Sequence, residues 1–242
     1  MITRTYIKTY RTLPDPDYFH IENLYNGNNT LTLTKNGTPA STDLQYRMGD
    51  DGEWTYVDLT QSKTTYVLAA GGKVYFRSTT GFSKDNSNYF GFSSSSNIAA
   101  HGDIVSLFNY LETGKPFAIP NYSCYKMFYN CTALTTAPDL SNVTSIDNYG
   151  CQYMFYYCSA LTTAPDLSNV KSIGTTGCSN MFNGCASLNY VYAPSPSSWN
   201  TSSMSSWLNN VASYGIVRKK STLTIPTDSA SGIPTGWDVE NY

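Results

Sequence analysis

Six cysteines, two histidines and a few paired aspartates hold the chemistry open to this chain. All six cysteines fall in three stretches, CYKMFYNC (124–131), CQYMFYYC (151–158) and CSNMFNGC (178–185). Cys124, Cys151 and Cys178 are spaced 27 apart, and so are Cys131, Cys158 and Cys185. Two thiols per copy would suit a metal, a disulfide, a nucleophile or a core. Zinc ligands usually come as C-x2-4-C with His or Cys close by; here the spacing is C-x6-C, and the only histidines, His20 and His101, lie outside the copies. No His, Lys or Arg recurs beside the thiols to favour a thiolate. Cys, Met/Phe and Cys at i, i+3/i+4 and i+7 predict one face of a short helix. Seven helical residues rise about 10.5 Å, too far for a disulfide, which needs Cα atoms about 4.4–6.8 Å apart. The expectation is therefore a reduced, buried core: Cys124, Met127, Phe128 and Cys131; Cys151, Met154, Phe155 and Cys158; Cys178, Met181, Phe182 and Cys185. Cysteine serves there as a small buried hydrophobe. Bonds between neighbouring copies, a shared metal or redox chemistry are the alternatives. No metal and no cofactor is expected.

The other candidates read as structural. His101 and Asp103 sit together in NIAAHGDIV, but such a pair needs a nucleophile whose position the sequence does not supply. Asp139 and Asp166 would suit a glycosidase pair, yet they occupy equivalent repeat positions, which favours a stacked structural role. Asp50 and Asp51 would suit calcium or acid–base work, but they fall at the tip of a hairpin between LQYRM and EWTYV. There is no G-x-S-x-G, P-loop, H-E-x-x-H or Rossmann glycine pattern, so no enzyme is expected.

The elements that position these residues follow from the period. Residues 124–150 and 151–177 agree at 19 of 27 positions. A repeat of that length predicts a solenoid whose units bury their apolar faces by stacking. Leu134, Ala137, Leu140, Val143 and Ile146 recur every three residues, as in a winding coil with short extended pieces. Pro138 and Pro165 keep any strand short. LFNYLETGKPFAIP (107–120) reads as a degenerate first repeat, with Phe108 laid on Phe128 and Leu111 on Cys131. Downstream, the segment around Met204–Val211 predicts a short helix, STLTIP a strand, and SGIPTGWDVENY a closing tail.

Over residues 97–242, the "MF.NC..LTTAPDL" pattern resembles the BspA-like leucine-rich repeats of bacterial surface proteins. It has the form found in gut bacteria and their tailed phages, the crAss-like group among them. Asp139 and Asp166 depart from the family's apolar ladder. The resemblance implies a repeat fold displayed on a surface.

Residues 18–96 contain no cysteine. YFHIENL, TLTLTKNG, LQYRMGDDGEWTYVDL, TTYVLAAGGKVYFRS and NYFGFS alternate in polarity, with hairpin signals at Asn36-Gly37, Asp51-Gly52 and Gly71-Gly72. They predict a small antiparallel β-sandwich. The stretch YR..DDGEW is similar to the Asp-Gly-x-Trp hairpins of carbohydrate-binding and sialidase-type modules. The fold class is thus mainly β with short helices: an arm (1–17), a β-sandwich (18–96) and a leucine-rich-repeat-like solenoid with atypical caps (97–242).

With a formal charge of −2 and 13% charged residues, a nucleic-acid groove is not expected. No run of 18 apolar residues predicts a membrane span, and the N-terminal stretch has no apolar h-region of a secretory signal. Tyrosine is abundant at 21 residues, which suits exterior contact surfaces. A chain of exterior character with no export signal fits a virion protein made in the host cytoplasm: a head fibre, tail fibre or capsid decoration used for adhesion. A bacterial cell-surface adhesin is the alternative, and a carbohydrate-active enzyme a distant third. If the cysteine face points inward, Tyr125, Tyr129, Tyr153, Tyr156 and Tyr157 point outward as the candidate ligand or partner face. Arg4, Tyr6, Lys8, Tyr10 and Arg11 form the candidate attachment arm. The partners expected are a capsid or tail protein through that arm, further copies of the chain as a homo-oligomer (a trimer), and a glycan or cell-surface ligand.

Overall fold

The computed structural model describes residues 17–38, 43–80, 85–227 and 230–242. Arg4, Tyr6, Lys8, Tyr10 and Arg11 of the attachment arm lie outside the described residues. The chain is mainly β, a β-solenoid of about 5 turns with antiparallel sheets at its N-terminal side.

The N-terminal strands are β1 (His20–Asn23), β2 (Asn29–Asn36), β3 (Gln45–Met48), β4 (Thr55–Tyr56), β5 (Lys63–Leu68), β6 (Lys73–Arg77), β7 (Tyr89–Ser94) and β8 (Ile98–His101). Every alternating run read from the sequence contains one or two of them. β2, β5 and β7 form one antiparallel sheet in the order β5-β2-β7. Leu31, Leu33, Phe90 and Phe92 turn inward from it because alternate residues of a strand face opposite sides. They meet Ile21, Val74 and Phe76 of the second sheet in one core. Of the three turn signals, only Asp51-Gly52 lies between paired strands, β3 and β4. β2 pairs with β5 and β7 rather than with β3, so Asn36-Gly37 closes no hairpin. Gly71-Gly72 leads from one sheet to the other, because β6 pairs with β1 and β3. That crossing is fixed by Asn23, whose side-chain amide donates to the carbonyls of Leu68 and Ala69 at 3.0 and 2.9 Å.

The solenoid adds α1 (Ser106–Asn109) and strands β9 (Phe117–Ile119), β10 (Leu134–Thr136), β11 (Val143–Ile146), β12 (Ser172–Ile173), β13 (Tyr190–Tyr192), β14 (Gly215–Lys219) and β15 (Trp237–Asn241). Stacking between coils is parallel: β9-β11-β12 on one side and β13-β14-β15 on another. The strands are short where the prolines require it, β10 ending at Thr136 before Pro138. The sandwich is continuous with the coil. β8 pairs antiparallel with β1 and parallel with β10, so the six-stranded sheet β10-β8-β1-β6-β3-β4 takes two strands from beyond residue 96.

Four sequence expectations are corrected. CYKMFYNC and its copies are not helices. Tyr122, Lys126 and Asn130 have φ of 59°, 55° and 58°, and Tyr149, Tyr153 and Tyr157 repeat this at 60°, 58° and 57°. A left-handed residue at every fourth position makes the stretch a chain of tight turns. Its amides alternate in use. Those of Tyr125, Met127 and Tyr129 close local turns to residues 122, 124 and 126. Those of Cys124, Lys126, Phe128 and Asn130 cross to the carbonyls of Gly150, Gln152, Met154 and Tyr156 at 2.8–3.1 Å. A helix would spend every amide within itself; here half of them join the next coil. The segment around Met204–Val211 is built the same way, with Ser206 and Asn210 left-handed. STLTIP forms no strand; β14 precedes it and β15 follows it. In the degenerate first repeat, Leu111 is 64% exposed rather than core. β9 supplies the coil contact instead, with Phe117 paired to Val143 and Phe108 stacked on Phe117 at 5.7 Å.

Candidate binding face

The turn ladder sorts its side chains sharply. All twelve Cys, Met and Phe residues predicted as core are buried, and the six cysteines are free thiols. Phe128, Phe155 and Phe182 stack 5.5 and 5.4 Å apart, at 4° and 1°. The column continues to Phe92 of the sandwich at 5.6 Å and to Trp207 of the last coils at 6.5 Å. The second thiol of a copy also binds its neighbour. Cys158 Sγ donates to the Phe128 carbonyl at 3.1 Å, and Cys185 Sγ to the Phe155 carbonyl at 3.0 Å. Burial pushes the Cys131 thiol up to about 11 and the Cys185 thiol up to about 12. It raises Cys151, Cys158 and Cys178 as well. These thiols stay protonated, as hydrogen-bond donation requires.

Outside this core the tyrosines form a second ordered array. Tyr129 and Tyr156, one repeat apart, stack at 5.0 Å and 6°. Tyr122 and Tyr149 do the same at 4.7 Å and 6°. Tyr153 meets Tyr125, Tyr129 and Tyr156 edge-on at 6.2, 6.3 and 5.4 Å. Tyr157 meets Tyr156 edge-on at 4.6 Å. The register sets these contacts, since residues 27 apart are brought one coil apart. Tyr129 and Tyr157 are 37% and 46% exposed, and Tyr153 and Tyr156 are half-buried. Tyr125 departs from the expected outward set. At 7% exposure it is buried, because Tyr89, Tyr122 and Tyr153 close around its ring. Gly184 positions Tyr157: at φ 80° a Cβ there would meet the Tyr157 ring at 2.8 Å, so the ring lies on bare backbone.

Lys126 brings a positive charge into this array. Its ammonium lies 5.0–5.9 Å from the rings of Tyr89, Tyr125, Tyr129 and Tyr153. Sequence reasoning missed Tyr89, which arrives from β7 of the sandwich, and Tyr122 with Tyr149. The last two carried a signal, being 27 residues apart just upstream of the cysteines. Tyr89 carried only its place on the polar side of the alternating NYFGFS.

The remaining candidates gather elsewhere. His20 and His101 lie side by side on β1 and β8, with ring centroids 5.3 Å apart. They border an open concavity of about 580 Å³ with Glu22, Asp139 and Asp166. His101 pairs with Glu22 at 3.8 Å, not with Asp103. Asp103 is buried and accepts from the amides of Val105 and Gly114 and the Asn142 side chain at 2.9, 2.7 and 3.0 Å. Asp139 accepts from the Ser141 amide and Asp166 from the Ser168 amide, both at 2.8 Å. They cap matching turns in successive coils, which accounts for an acid at that repeat position. Asp50 accepts from the Tyr75 hydroxyl at the tip beyond β3. Among the described residues, no group of three or more His, Cys, Asp or Glu side chains is placed to hold a metal ion.

Set beside known proteins, the chain matches no family model, no curated protein and no solved structure.

Proposed function

We propose that this protein is a non-enzymatic adhesion module on a virion surface, a head fibre, tail fibre or capsid decoration. In this reading the solenoid presents its tyrosine array to a glycan or cell surface. One observation carries it: exposed Tyr129 stacked on half-buried Tyr156, with exposed Tyr157 beside it. Tyrosine joins flat apolar area to a hydroxyl and loses little rotamer entropy on contact. Here the rings are already ordered by the coil spacing, which lowers the cost of binding further. The virion setting is supported by the low charge and tyrosine-rich composition and by the repeat pattern's resemblance to phage and bacterial surface proteins. A bacterial surface adhesin would use the same face. The residues outside the described region, Arg4 to Arg11 among them, would attach the module to a capsid or tail protein, and a trimer would multiply weak contacts. The test is a combined Tyr129→Ser, Tyr156→Ser, Tyr157→Ser variant. It should fold, assemble and lose adhesion to host cells; a folded variant that adheres like the parent overturns the reading.

A further inference from the structure

We propose that the junction between β7 and the first turn ladder is a subsite for an acidic sugar residue, a uronic or sialic acid, whose carboxylate Lys126 binds. This rests on the adhesive reading of the tyrosine array and adds the ligand class. Thr34, Asn36, Tyr89, Ser93, Lys126 and Tyr129 line an open pocket of about 230 Å³. That is below the range of about 300–1,000 Å³ for drug-sized ligands and suits a single sugar ring.

The charge pattern sets the sign of the ligand. Among the described residues, Lys126 makes no ion pair and no side-chain hydrogen bond, and no acid lines the pocket. Four tyrosine rings hold the ammonium in place. Cation–π contact restrains a cation without neutralising its charge. The three N–H donors thus remain for an anion, and charge-assisted bonds are the strong ones. The Lys126 backbone is fixed independently: its amide donates to Gln152 at 3.1 Å and its carbonyl accepts from Tyr129 at 3.1 Å. The side chain is therefore free to serve the pocket.

The neutral wall sets the class. Thr34, Ser93 and the Asn36 amide offer donors and acceptors suited to ring hydroxyls. Tyr89 and Tyr129 offer aromatic surface for the sugar's C–H side. A phosphate group would favour a bidentate arginine; one lysine with neutral polar groups matches a carboxylate on a polyhydroxylated ring.

The experiment titrates the full chain with methyl β-glucuronide and methyl α-N-acetylneuraminide, with methyl β-glucoside as the neutral control, by saturation-transfer NMR and calorimetry. At least one acidic probe should bind about tenfold or more tighter than the glucoside. Lys126→Gln should abolish that preference and Lys126→Arg should keep it, and both should stay folded with a cooperative melting transition, lowered in Lys126→Gln by the lost cation–π contacts. Equal binding of neutral and acidic probes, an unchanged preference in Lys126→Gln, or no binding of either acid overturns the assignment. Cell adhesion separates the two readings. Loss in the triple tyrosine variant with full retention in Lys126→Gln overturns the acidic sugar and leaves the face standing. Retention in both overturns the face itself.

Discussion

At the scale of single residues, the thiols and one histidine carry the clearest consequences. Cys158 and Cys185 donate their protons to carbonyls of the preceding coil, and burial raises the pKa of five of the six thiols. At pH 8 the native protein should therefore show almost no reaction with a disulfide exchange reagent, and six thiols should react once denaturant is added. Several fast-reacting thiols in the native state would contradict this. That the cysteines are core was legible from their spacing. Their use as donors was not, because it depends on the distance between coils. His20 gives a pH dependence. Burial holds its imidazole below the ordinary value of 6.5; His101 and Lys73 push the same way, while the Tyr18 carbonyl and Asp17 oppose. As pH falls below about 6.5 the unfolded chain takes up a proton that the folded chain refuses, so stability falls. His20→Asn should flatten the loss of stability between pH 7 and pH 5 in chemical denaturation. A slope unchanged by the substitution would remove His20 from that role.

Among the elements, the turn ladder separates stacking from backbone strain. Phe155 is sandwiched between Phe128 and Phe182, so Phe155→Ala should cost about 3–5 kcal/mol in unfolding free energy. A cost under about 1 kcal/mol would mean that the column carries little of the coil's stability. Thr176 has φ of 53°, a region costly for a β-branched side chain. Thr176→Gly should raise stability by about 1 kcal/mol, read as a higher denaturation midpoint; a lower midpoint would place the cost elsewhere. The helix expected from i, i+3, i+4 and i+7 did not form because a four-residue train of turns buries the same positions. Burial spacing alone cannot tell the two apart. The discriminating signal was faint: Asn130, Asn180, Asn210 and Gly184 stand at left-handed positions, where Asn and Gly are favoured. Tyr153 and Lys126 at others hide the pattern.

For the whole molecule, one core runs from the sandwich to the last coil. Phe92 closes the aromatic column at one end. At the other, the indoles of Trp199, Trp207 and Trp237 donate to backbone carbonyls of Ser231, Gly232 and Ala212 at 2.7–2.8 Å, tying the tail down as a cap. The period made the solenoid legible and the alternation made the sandwich legible. Their fusion was not, since the pairing of β8 with β1 links residues 75 to 81 positions apart with no local signature. That fusion brings Tyr89 to Lys126 and so completes the face. The most direct test titrates protein carrying ¹³C-labelled tyrosine rings with pooled neutral and acidic glycans released from mucin, and follows each ring by NMR. Tyr129, Tyr153, Tyr156 and Tyr157 should shift together and saturably, while Tyr56 and Tyr214, more exposed at 65% and 71%, should stay still. Shifts confined to Tyr56 and Tyr214, or none in the array, would contradict the account.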